Sequence, residues 1–153
     1  MKYLCVIEHE VHPDGRESFG GYCLDVSANV VSKSTREAVL KSLSEGIALS
    51  MLSLKEDGLP VPPPSSKESD VEKENESDEL VWVESAAVSP VSLEIEAAIK
   101  RSGLSQAELA RRLNVHRSQI TRMTDPFYFG HNLSSLQRIA EAVGGHVEVK
   151  LVV

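Results

Sequence analysis

The chain has 153 residues, 41% of them hydrophobic and 25% charged, and a net charge of −7. That is enough apolar mass for one ordinary domain or two small ones, and it excludes collagen, coiled coil and disulfide scaffold. No apolar run reaches the ~18–20 residues that span a bilayer. Met1–Ile7 is followed at once by Glu8 and His9, so no signal peptide is expected, and the two cysteines point to a reducing cytoplasm.

Residues 2–8 alternate around β-branched and aromatic side chains and predict a strand. Pro13-Asp14-Gly15 is turn chemistry. Gly20–Val26 predicts a second strand, antiparallel to the first, and Asn29–Lys33 a short third. Ser34-Thr35-Arg36-Glu37 is a capping box. Leu40, Leu43, Ile47, Met51 and Leu54 then recur at spacings of three and four, the apolar stripe of a helix of about six turns. Gly58 and Pro60 end it. Pro60–Pro64 is stiff and extended. Residues 64–79 form a mostly acidic stretch with too little apolar surface to offset ordering entropy, and read as a flexible linker. Leu80–Val88 predicts a fourth strand that returns to the same sheet, and Pro90 marks a boundary. Residues 1–90 are thus one expected domain and residues 91–153 a second.

The second domain predicts four short helices over residues 92–144. Ser92 caps the first, which carries Ile95 and Ile99 and stops at Gly103. Ser105-Gln106-Ala107-Glu108 is a second capping box. That helix ends near Leu113-Asn114, where Asn tolerates a left-handed turn. A third covers about 116–123 and stops at Asp125-Pro126. Asn132 caps the fourth, and Gly144-Gly145 closes it. His146–Val152 alternate and predict a terminal β-strand. Val147, Val149 and Leu151 form its apolar row, a candidate dimerisation seam, because a short strand with a bare edge favours pairing.

Charge divides the chain in the same way. Residues 1–90 have a balance of −9 and residues 91–153 a balance of +2. Between 100 and 122 six basic residues meet one acid, Glu108. A basic cluster in an acidic chain points to a local polyanion site. In the run Gln106–Arg122, Ala110 is small where two helices must approach. Leu109, Leu113, Val115 and Ile120 sit where a shared core is needed, and Asn114 occupies the tight turn. Arg117, Ser118, Gln119 and Arg122 face outward with groups able to bond base edges or phosphates. This pattern resembles the helix-turn-helix of the phage-repressor (XRE/Cro-like) family over roughly residues 92–144. The resemblance implies operator double-stranded DNA as a partner. It implies a phosphate contact and a bracing role for Gln106, base reading by Arg117, Ser118 and Arg122, and supporting contacts from His116 and Gln119.

The order β-β-β-α, followed by Glu56-Asp57-Gly58-Leu59-Pro60-Val61-Pro62-Pro63-Pro64-Ser65, resembles HicB antitoxins in their helix-turn-helix form. The connection Asp25–Asn29 is shorter than in many members. The resemblance implies an α+β protein with a partial RNase-H-like β-β-β-α-β domain that is not an enzyme, joined to a four-helix DNA-binding domain with a terminal strand. It implies a HicA-like mRNA-cleaving toxin as partner and repression of the protein's own operon. A homodimer, with higher-order assembly open, is expected because a lone helix-turn-helix reads too few base pairs for an operator and the terminal strand supplies a seam. The other function class is a stand-alone transcription regulator with an N-terminal ligand-sensing domain.

Rival chemistry is weaker. A two-metal nuclease needs several carboxylates held together, and Glu8, Asp25 and Glu84 are scattered. Cys5, His9, His12 and Cys23 lack paired zinc-ligand spacing, so no metal or cofactor is expected. Two buried thiols facing each other across neighbouring strands, kept reduced, is the simpler reading.

Overall fold

In the computed structural model, which describes residues 1–153, the chain divides into two units, Met1–Ala87 and Val88–Val153. In the first, β1 (Lys2–Val11), β2 (Glu17–Cys23), β3 (Asn29–Lys33) and β4 (Glu79–Glu84) form one antiparallel sheet of order β3-β2-β1-β4. β1 is central, and it carries the longest apolar alternation. Its Tyr3, Cys5 and Ile7 point to one face, joined there by Cys23, Val30 and Val83. Helix α1 (Arg36–Glu56) covers that face with Val39, Leu43 and Ile47. Gly21 makes the close approach possible. A Cβ there would lie 2.7 Å from the Val6 carbonyl oxygen and 3.0 Å from Val39 Cγ1.

The cap of α1 lies one residue later than the Ser34 capping box predicts. Thr35 Oγ1 accepts from the Ala38 amide at 3.2 Å. The expected strand over 80–88 is also shorter: the Ser85 amide makes the last rung, to the Met1 carbonyl opposite it, and the Ala86 amide turns away to the Ser44 carbonyl.

The residues between α1 and β4 carry contacts that composition does not announce. Tyr3 Oη donates to the Pro62 carbonyl at 2.8 Å. The Ser65 and Ser66 hydroxyls donate to Asp25 Oδ1 at 2.9 and 2.8 Å. Burial pushes the Asp25 carboxyl up, but these donors outweigh it and hold its pKa below the usual range. After a single 3₁₀ turn at Glu68–Asp70, Trp82 Nε1 donates to Glu68 Oε1 at 3.2 Å and Ser77 Oγ to the His9 carbonyl at 3.2 Å. Trp82 and its ladder neighbour Leu4 lie on the sheet face away from α1, and Leu4 and Val6 are buried there.

The second unit holds α2 (Pro90–Ser102), α3 (Gln106–Leu113), α4 (Arg117–Met123) and α5 (Leu133–Ala142). Ile95, Ile99, Leu109, Ala110, Ile120 and Ile139 form its core. Helix α2 starts earlier than the Ser92 cap predicts. Ser89 is the cap, and Pro90 at the first helical position suits the fixed φ of proline. Ser92 is instead buried inside the first turn and donates to the Tyr128 carbonyl at 3.2 Å.

The terminal β-strand predicted over His146–Val152 is not formed. A strand needs a neighbour to take its amides and carbonyls, and residues 146–153 have no ladder partner within this chain. Val149 and Leu151 are 71% and 88% exposed, whereas Val147 is half-buried in a groove with Val91, Leu136 and Val143.

Candidate nucleic-acid interface

The site begins with a turn that one side chain makes possible. Asn114 adopts φ 53° and ψ 47°, the left-handed region, and its amide bonds back to the end of α3. Val115 then donates to the Ala110 carbonyl at 3.0 Å, and the chain enters α4 within three residues. Ser105 caps α3 by accepting from the Glu108 amide at 3.1 Å. His116 caps α4, its Nδ1 accepting from the Ser118 amide at 3.3 Å. Leu109, Ala110 and Ile120 bury the inner faces of the two helices against Ile95, Ile99 and Ile139.

That packing leaves one face of α4 outside. Arg117, Ser118, Gln119, Thr121 and Arg122 are exposed, while Ile120 between them is 2% exposed. Arg117 and Arg122 make no ion pair. The Arg122 guanidinium stands 6.0 Å from the centre of the Tyr128 ring, within cation–π range. Arg111 and Arg112 are differently placed. Arg111 grips both Glu108 oxygens, at 3.0 and 2.7 Å, and Arg112 Nε reaches Oε1 at 3.3 Å. The Arg111 hydrogen bonds lead in holding the Glu108 carboxyl below its ordinary pKa. Of the basic cluster read from the sequence, α4 therefore presents two unpaired cations, and α3 two that an acid already holds.

Gln106 braces α4 as well as opening α3. Its Nε2 donates to Thr124 Oγ1 at 3.3 Å, and its Oε1 accepts from Thr121 Oγ1 at 3.2 Å. Thr124 Oγ1 in turn donates to the Thr121 carbonyl at 3.1 Å. The two threonines escape a sequence reading, because only the folded pair of helices brings them to Gln106. Arg138 is also missed. Arg138 Nη2 donates to the Leu113 carbonyl at 2.8 Å, tying α5 to the last turn of α3. His131 Nε2 lies 2.9 Å from the Met123 carbonyl at the end of α4.

The other sequence candidates do not converge. His9 stacks on Phe19 with ring centres 4.5 Å apart, His12 Nε2 meets Ser18 Oγ at 2.9 Å, and Cys5 and Cys23 face each other in the core. No three His, Cys, Asp or Glu side chains gather in a metal-holding group. No helix is long and apolar enough to cross a membrane.

A helix-turn-helix family model matches residues 95–124, which take in most of α2, all of α3 and α4, and the turn between them. No curated protein matches the chain. The match and the geometry together support a DNA-binding transcription regulator.

Proposed function

We propose that the protein is a non-catalytic antitoxin of the HicB kind. In this reading the second unit represses the protein's own operon by binding operator DNA, and the first unit neutralises a small cationic HicA-like toxin that cleaves mRNA. The observation that carries the DNA half is the open face of α4, with Arg117 and Arg122 unpaired and Gln106 bracing the helix from behind. Arg117, Ser118 and Arg122 read base edges in the major groove. Gln106, His116 and Gln119 hold the register against the backbone.

The toxin half rests on the order β3-β2-β1-β4 with α1 on one face, and on the acidic balance of residues 1–90. Such a surface attracts a cationic RNA-binding partner and speeds encounter. The reading as a non-enzyme is supported by the strand carboxylates. Glu8 lies at one end of the β1–β4 region and Glu84 pairs with Lys2 at the other. Six residue steps along β1 separate them, about 20 Å, too far to share two metals that sit ~4 Å apart. Asp25 is occupied by Ser65 and Ser66.

We further propose a homodimer through residues 146–153, in which a second copy supplies the ladder that one copy lacks and Val147, Val149 and Leu151 form the seam. Two recognition helices then meet one face of the duplex about 34 Å apart. Co-expression with an adjacent short basic open reading frame, followed by pull-down and a growth test, examines the toxin half. Capture of that product with rescue of growth is expected. DNA binding without capture or rescue favours a stand-alone regulator.

A further inference from the structure

Cys5 and Cys23 are the chain's two cysteines, and they stand directly opposite each other on β1 and β2. Antiparallel ladders alternate between pairs that exchange two backbone hydrogen bonds and pairs that exchange none, the latter bringing Cα atoms to about 4.5 Å. The neighbouring pair is bonded, Leu24 donating to the Leu4 carbonyl at 3.1 Å. The Cys23 amide turns away from β1 and donates to Ala28 at 2.9 Å. Cys5 and Cys23 are therefore a non-bonded pair, whose usual spacing lies inside the ~4.4–6.8 Å that a disulfide spans. Both side chains point to the same face of the sheet, under α1. Both are free thiols.

We propose that Cys5 and Cys23 form a reversible disulfide within one chain when the protein meets a hydroperoxide. The two sulfurs are not equivalent. Cys23 closes β2 and keeps 8% of its surface exposed, whereas Cys5 is fully buried. The Cys5 thiol has two acceptors, the Tyr3 carbonyl at 3.7 Å and the Cys23 sulfur. The hydrogen bond from Cys5, with the Val26 and Asp25 amides, outweighs burial and the nearby Asp25 charge and draws the Cys23 pKa below that of an ordinary thiol. The same contact, with burial, pushes Cys5 up. Cys23 is thus the attacking thiolate and Cys5 the resolving thiol.

The chemistry closes without another reactant. The Cys23 thiolate attacks one peroxide oxygen and the O–O bond breaks. The second oxygen leaves with the electron pair and, after protonation, departs as water or an alcohol. Cys23 is left as a sulfenic acid. The Cys5 sulfur then attacks the Cys23 sulfur, the S–O bond breaks, and the hydroxyl leaves as water with the proton from Cys5. Two thiols lose two electrons and the peroxide gains them. In a reducing compartment such a bond is transient, which is the usual form of a cytosolic disulfide.

The test uses the reduced full-length wild-type protein. It is treated with hydrogen peroxide, alkylated under denaturing conditions, weighed intact, and digested with trypsin without reductant. The expected result is an unalkylated monomer lighter by about 2 Da, the two hydrogens lost on forming S–S. Peptides 3–16 and 17–33 should be joined, and dithiothreitol should separate them. Cys5→Ser should leave Cys23 as a sulfenic acid that a dimedone probe captures. Two alkylated thiols, a link between chains, or added oxygen on Cys23 with Cys5 still free would each overturn the proposal. The wild-type measurement stands whether or not the variant folds.

Discussion

On α4, exposure separates residues that hold the helix in place from residues free to meet a ligand. Arg117 and Arg122 belong to the second group, so Arg117→Ala and Arg122→Ala should each cost about 1–3 kcal/mol of operator binding if they read bases. Toxin neutralisation should be unchanged. Gel shifts at fixed salt check this, and unaltered specific binding in the double variant rejects α4 as the reader. In the first unit, Arg36 Nε donates to Glu79 Oε2 at 2.7 Å, and this pairing, against burial, lowers the Glu79 pKa. A carboxylate with a depressed folded pKa contributes stability above its unfolded pKa, and that contribution is lost as pH falls through the folded value. Glu79→Gln should therefore flatten the acid limb of the unfolding curve below about pH 4.5. Both side chains are more than a third exposed, so the effect near neutrality should stay within about 1 kcal/mol. Denaturant melts of both proteins across acid pH measure it.

The elements were legible to the degree that their signals are local. The Asn114 turn can be read from sequence because few residues other than Gly enter the left-handed region cheaply. The strands and the helix that covers them are read from local runs, but the order β3-β2-β1-β4 is not, since alternation does not say which edge β4 joins. The cap of α2 is harder to read, because Ser89 and Ser92 are equivalent in sequence until the folded chain brings the Tyr128 carbonyl to the Ser92 hydroxyl and leaves Ser89 Oγ to accept from the Ser92 amide. The Gln106–Thr121–Thr124 network is invisible for the same reason, being made by the approach of two helices. The terminal strand is the instructive failure. Its alternation is real, but periodicity describes the faces of a segment and not the neighbour it needs. The proposed dimer assigns that neighbour to a second copy. Deleting residues 146–153 should then abolish the DNA-binding dimer and leave toxin binding intact. Sedimentation and gel shifts read the two, and an intact dimer after the deletion rejects the seam.

Across the whole molecule, the two cores draw on separate stretches of chain. Tyr3 to Val83 supply one and Ile95 to Ile139 the other. A fragment of residues 1–87 keeps every residue of the first core. It should fold, show a cooperative thermal transition, and bind the toxin without binding DNA. Circular dichroism and pull-down test this. A fragment that melts without cooperativity would show that the first core needs the second unit.

The grip of Glu108 on Arg111 and Arg112 has a thermodynamic consequence. Each phosphate that a protein cation neutralises releases condensed counterions, and the logarithm of affinity falls with that of salt concentration by about 0.9 per contact on B-DNA. Arginines already neutralised within the protein contribute little to that slope. Glu108→Gln removes the internal anion that neutralises both, and leaves Arg112 only its bond to the Ala142 carbonyl at 3.2 Å. If they reach the backbone, affinity at low salt should rise and the slope steepen by up to about 1.8, with little change in which sequence is preferred. A salt titration of operator and non-operator binding reads both quantities. The single acid in the basic cluster would then act as a brake on indiscriminate attraction to DNA, leaving a larger share of the binding to the side chains of α4.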